Sequence, residues 1–146
     1  MHSERYVVVS DNDHERYEFL SEGPNGIIRK VIFYRKMSPN FFNLGFGDWE
    51  EVEHIINDLT RSNNDDRDKV LTTVAFTVID FIQFHPNVVL FVKGSTPART
   101  RLYQMGIAAY WHEISHLFEI KGFYNGDWHP FERGRNYEAF VLKEKM

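Results

Sequence analysis

The segment YWHEISHLF contains His112-Glu113-x-x-His116. At this spacing two imidazoles one helical turn apart can hold zinc while the carboxylate polarises a bound water. A catalytic centre of that kind needs a third protein ligand, and the candidates are His129 and Glu132 in the following segment. Helical phase weighs against it. At about 100° per residue, Tyr103, Ile107, Tyr110, Trp111, Ile114 and Phe118 share an apolar face, and His112 and His116 fall nearly opposite, toward water. The expectation is therefore two surface histidines flanking a glutamate, with a zinc hydrolase as the lesser alternative.

A second chemistry lies at the start of the same helix, in Lys93-Gly94-Ser95-Thr96-Pro97-Ala98-Arg99. A strand ends and a helix begins there, which is where open α/β sheets bind ligands. The helix start offers free N–H groups and partial positive charge, Gly94 admits close approach to the backbone, and Ser95 and Thr96 add hydroxyls. Lys93 and Arg99 would neutralise a phosphate. Arg101 points about 200° away from Arg99 and would not grip the same group. The simpler reading of the segment is a helix cap made by Thr96. Asp48 and the polar run Ser62-Asn63-Asn64-Asp65-Asp66 would join the site only if the helices folded back over the sheet. By themselves they read as a helix cap and a connecting loop.

Around these residues the pattern predicts strands over Arg5 to Ser10, Tyr17 to Ser21, Gly26 to Lys36 and Phe41 to Phe46, separated by Asp-Asn-Asp, Gly-Pro-Asn-Gly and Ser-Pro-Asn turns. A first helix is expected along Trp49, Val52, Ile55, Ile56 and Leu59, opened by Asp48 and Glu51. A second follows along Val70, Leu71, Val74, Ala75, Val78, Ile79 and Ile82, capped by Asp65 or Asp66 and lying flat on the sheet. Asn87 to Lys93 is apolar on both alternating faces, as for an interior strand covered on both sides. The third helix runs from the Gly94 turn to about Phe118. Glu119 to Phe123 and Tyr137 to Lys143 form two strands around a loop, Tyr124 to Asn136. The order β-β-β-β-α-α-β-α-β-β gives an α+β fold, one domain over residues 1–146, with a mixed, mostly antiparallel sheet and about three helices.

Composition narrows the field. The chain of 146 residues has no cysteine, so disulfides, thiol nucleophiles and thiolate zinc sites are excluded together. With neither a signal-peptide pattern nor a membrane-length apolar run, the protein is expected to be cytoplasmic, without a membrane partner. A formal charge of -4 opposes whole-surface attraction to nucleic acid, although a local basic patch escapes that test. The sequence shows no basic stripe with interleaved stacking aromatics, and there is no Walker loop, dinucleotide fingerprint or nucleophile elbow.

The segments NLGFGD, GSTPARTRLY and NYEAF resemble those of an uncharacterised family of small bacterial proteins. That resemblance implies one compact domain and names no activity. Residues 67 to 123 are similar to the last half of Gcn5-related N-acetyltransferases, with a helix, a strand, and a helix carrying ARTRLYQMGI. This likeness implies coenzyme A as cofactor and acyl transfer as reaction, with Tyr103 as the general acid. In that family an Arg/Gln-x-x-Gly-x-Gly/Ala turn before the first of these helices binds the pyrophosphate. Here the place reads RSNNDDRDKV, without glycine and with several acids. Three partner classes follow. One is a phosphate-bearing ligand held by Lys93, Gly94, Ser95, Thr96 and Arg99, whether a nucleotide, coenzyme A or a nucleic-acid backbone. The second is the amine acceptor of an acetyltransferase. The third is a protein partner, as in a toxin-antitoxin or defence pair, suggested by small size and aromatic richness.

Overall fold

Pro24 and Asn25 separate Gly23 from Gly26, which face one another across a ladder, and Gly26 takes the left-handed φ of +88° that the turn requires. The computed structural model describes residues 4–50, 54–57 and 64–145. Its strands are β1 (Val9–Ser10), β2 (Arg16–Gly23), β3 (Gly26–Ser38), β4 (Phe41–Glu50), β5 (Ile55–Asn57), β6 (Val89–Val92), β7 (Phe118–Tyr124), β8 (Asp127–Pro130) and β9 (Ala139–Glu144). The helices are α1 (Arg67–Phe84), α2 (Pro97–Ala109) and α3 (Trp111–Leu117). One mixed, mostly antiparallel sheet runs β1-β2-β3-β4-β6-β9-β7-β8, with β5 added to β4. The fold is thus α+β, as expected. β4 and β6 are a parallel pair, from Phe41↔Val89 to Leu44↔Val92.

The helix expected from Trp49 is overturned. Trp49 and Glu50 continue β4, and Ile56 and Ile55 face them from β5. The spacing of Trp49, Ile55 and Ile56 suits a helical stripe and a cross-strand pair equally, and sheet pairing decided. Glu51, Val52 and Leu59 lie outside the described residues. Asp48 is not a helix cap either. It faces Lys30 across the ladder, and Lys30 Nζ donates to its Oδ1 at 2.5 Å with both residues buried.

The second expected helix is α1. Asp66 stands at its N-cap without a capping bond from its side chain. The carboxylate instead accepts from Tyr6 Oη at 2.5 Å and Ser21 Oγ at 2.6 Å, tying the helix start to β2. The buried face of α1 includes Thr73 and Thr77, which the apolar stripe omits. Each hydroxyl donates to a helix carbonyl behind it, Lys69 O or Val74 O, and so can enter the core. Fully buried Phe81 stacks on Tyr34 of β3 with ring centroids 4.1 Å apart.

Tyr103, Ile107, Tyr110, Ile114 and Phe118 are all buried, on the face the sequence assigned. The long third helix nevertheless breaks at Tyr110, with α3 continuing beyond it. Gly106 lies inside α2, where a Cβ would meet Leu71 Cδ2 at an ordinary 3.6 Å. Gly106→Ala is therefore expected to stabilise the protein by about 0.5–1 kcal/mol, read as a higher urea midpoint.

Leu44, Val92 and Leu142 line a small apolar cavity of about 50 Å³ together with residues of all three helices. This is the helix-covered face. On the other face Arg35, Asn43, Phe91, Val141 and Lys121 form one cross-strand row, and none of them is fully buried. The expectation that Asn87 to Lys93 is covered on both sides is corrected accordingly. β6 is interior within the sheet, but Phe91 rests against Phe41 and Trp128 instead of a second helical layer. The loop expected over Tyr124 to Asn136 also contains β8, which pairs with β7 through a tight Asn125-Gly126 turn, both residues at positive φ. Among the described residues, no helix is long and apolar enough to cross a membrane.

A polar cluster pins α1 to the β2 end of the sheet. Tyr17 Oη donates to Asp80 Oδ2 at 2.6 Å, His14 Nδ1 lies 2.8 Å from the same oxygen, and His14 stacks on Phe84. Desolvation works to raise the Asp80 carboxyl, but the hydrogen bonds from Tyr17 and His14 outweigh it and hold the group below its ordinary value. A depressed folded value means that this stabilisation is complete above the unfolded carboxyl value, near pH 3.9, and is lost as pH falls through the folded value. Tyr17→Phe is expected to shrink the acid-side loss of stability. Urea midpoints measured from pH 6 down to pH 2.5 check it.

Candidate functional site

β4 carries two partners on the edge away from β3. β6 pairs with Phe41 to Leu44 and β5 with Asp48 to Glu50. Between them Gly45, Phe46 and Gly47 pair with β3 alone. A notch opens there because the chain leaves β6 after Val92 and turns at Gly94 into α2. The turn is tight. A Cβ on Gly94 would stand 2.5 Å from Arg99 Cβ and from the Thr100 nitrogen, so only glycine lets the strand end pack against the first helical turn. Thr96 caps α2 by accepting from Arg99 N at 3.1 Å, and Thr100 Oγ1 accepts from Gly94 N at 2.9 Å.

The notch has a volume of about 300 Å³. Lys93, Gly94, Ser95 and Arg99 of the sequence-derived anion site line it, with Arg35 and Asn43 from the sheet and Tyr103 from α2. Thr96 serves the cap instead of the lining. Arg99 Nη1 donates to Phe46 O at 3.1 Å and its guanidinium lies 5.3 Å from the Phe46 ring centre, so the GSTPAR and NLGFGD segments meet at this point. The third noted segment is tied to the same helix, since Tyr137 N donates to Gln104 Oε1. Three cations from three elements face the notch, and among the described residues no carboxylate lines it. Among the described residues, no carboxylate forms an ion pair with Arg35 or Lys93.

The sequence pointed to the local half of this site and missed the other. Arg35, Asn43 and Phe91 join it only through sheet register, Arg35↔Asn43 and Asn43↔Phe91. No linear signal announces that meeting. Asp48 does not line the notch, being held by Lys30, and neither do Asn64, Asp65 and Asp66, of which Asn64 and Asp66 are bonded to Ser21 of β2. Asn64 is buried, and its amide donates to Ser21 Oγ and Gly26 O. Ser62 and Asn63 lie outside the described residues.

His112 and His116 are exposed on α3, their ring centroids 5.1 Å apart and their planes nearly perpendicular. His129 Nε2 lies 3.1 Å from Tyr124 O, and Glu132 pairs with Arg135. Among the described residues, no group of three or more histidine, aspartate or glutamate side chains could hold a metal ion.

A model of a family of unknown function, DUF6934, matches residues 2–145. No curated protein and no solved structure matches the chain.

Proposed function

We propose that this chain, a member of the DUF6934 family, binds a phosphate-bearing ligand in the notch between β4 and β6. One observation carries the reading: Arg35, Lys93 and Arg99, from a strand, a strand end and a helix, converge on a cavity of about 300 Å³, and no carboxylate lines it among the described residues. A cleft lined by one sign of charge concentrates ligand of the other. The α2 start adds its own partial positive charge beside Ser95.

Within that class the shape favours coenzyme A. Gly45 to Gly47 form a strand edge bounded by β6 on one side and β5 on the other, and an extended, amide-bearing arm can lie along such an edge as a short added strand. The phosphates would fall to Lys93 and Arg35. The start of α1 does not suit them, because Asp66 and Asp68 stand there and Asp66 is committed to Tyr6 and Ser21. α1, β6 and α2 are the helix, strand and helix of the Gcn5-related resemblance, and Tyr103 of that stretch lines the notch. A bound acyl-coenzyme A would supply an activated acyl group, and Tyr103 would be the nearest hydroxyl of α2 able to exchange a proton there.

A thermal-shift panel with acetyl-coenzyme A, coenzyme A, common nucleotides and inorganic phosphate tests the reading. Ligand at about 100 times its dissociation constant should add about 2.7 kcal/mol of stability. A shift with coenzyme A that survives Tyr103→Phe but is lost in Lys93→Gln supports binding through the notch. Absence of a shift with every phosphate compound overturns it.

A further inference from the structure

We propose that the open face of the sheet is a docking platform for single-stranded nucleic acid. The surface adjoins the notch and shares Arg35, Phe91 and Lys93 with it, but extends well beyond it: the sheet register assembles an aromatic and basic surface that no linear segment contains. All three helices pack on the other face, so the side chains here meet solvent. Phe41, Phe91, Trp128 and Phe123 form a continuous strip across β4, β6, β8 and β7, with ring centroids 6.1, 6.3 and 5.1 Å apart in turn. All four rings are at least partly exposed, and Trp128 is 37 % exposed. Such a strip offers π faces on which successive bases can stack, whatever their sequence.

Charge selects the occupant. Lys121 and Lys143 lie on this face through the pairs Lys121↔Val141 and Val89↔Lys143, and Arg35 and Lys93 flank it beside the notch. Among the described residues, the carboxylates that the strand register puts on this face are Glu119, 3.7 Å from Lys121 Nζ, and, at the β2 end, Glu22 and Glu18, the latter paired with Arg16 and Arg29, which lie on the same face. Cations therefore predominate on this face of a chain whose formal charge is -4. An apolar protein partner would not call for that ring of cations, whereas a phosphate backbone would. A single strand fits better than a duplex, since paired bases cannot reach the rings.

The test is fluorescence anisotropy of the full chain with labelled single-stranded RNA and DNA oligonucleotides of about 12 nucleotides and a duplex of equal length, at about 50 and 200 mM salt. Binding should be preferential for the single strands and should weaken as salt rises. Trp128→Ala is expected to lower affinity about 5- to 100-fold. Lys143→Glu should weaken binding alike for all sequences and reduce the salt slope by about one or two. Neither residue lines the notch, so coenzyme A binding should be unchanged in both variants, which separates failure of this proposal from failure of the notch reading. Equal binding of duplex and single strand, affinity indifferent to both substitutions, or no binding at the lower salt would each overturn the proposal.

Discussion

Asp48→Ala is expected to destabilise the protein by about 3–5 kcal/mol, because it leaves the Lys30 ammonium buried without its partner. Lys30 and Asp48 are 6 % and 8 % exposed, so water has little access to the stranded charge. The Lys30 ammonium also stands 5.7 Å from the Phe46 ring centre, an attraction too weak to replace a carboxylate. The control is Lys30→Met with Asp48→Leu, which removes both charges at similar volume and should recover most of the loss. Urea unfolding of the wild type, the single variant and the double variant measures both. A loss below about 1 kcal/mol for Asp48→Ala would show that solvent reaches the pair and that it acts as a surface salt bridge.

The combined substitution Arg35→Gln, Lys93→Gln is expected to lower the affinity of the notch for a phosphate-bearing ligand about 100-fold or more. A hydrogen bond to a charged group contributes about 1.5–3 kcal/mol, and here two are removed together. Stability should hardly change, since both side chains are exposed and, among the described residues, neither is in an ion pair. Isothermal titration with coenzyme A separates this from unfolding. An unchanged dissociation constant in a folded double variant would remove Arg35 and Lys93 from the site. Arg99 is a less clean probe, because its guanidinium also holds Phe46 O.

The elements were legible in the sequence where one periodicity had no rival. α1, β6 and the start of α2 stand where apolar spacing and the Ser-Thr-Pro signal put them. Trp49 to Ile56 misled because three apolar residues can satisfy a helix stripe and a strand pair at once, and only the pairing of β4 with β5 breaks the tie. The β7–β8 hairpin did have a readable signal, Asn125-Gly126 between aromatic residues, whose left-handed turn favours hairpins. The site divides along similar lines. Its local half, Lys93 to Arg99, is written contiguously, whereas Arg35, Asn43 and Phe91 are 8 and 48 residues apart and meet only because β3, β4 and β6 align in register. Side chains gathered from separate strands leave no trace in one-dimensional spacing, which is why a basic and aromatic surface was invisible in the linear pattern.

The strand order carries a consequence for synthesis. β9 follows β7 and β8 in the chain yet lies between β6 and β7, so the β7–β8 hairpin has no partner in the rest of the sheet until β9 arrives. While the ribosome has yet to deliver Ala139–Glu144, β6 and β7 each present an unpaired edge, the kind that recruits neighbouring chains. The nascent polypeptide is thus most prone to aggregation after its helices have formed and before one six-residue strand joins the two parts of the sheet.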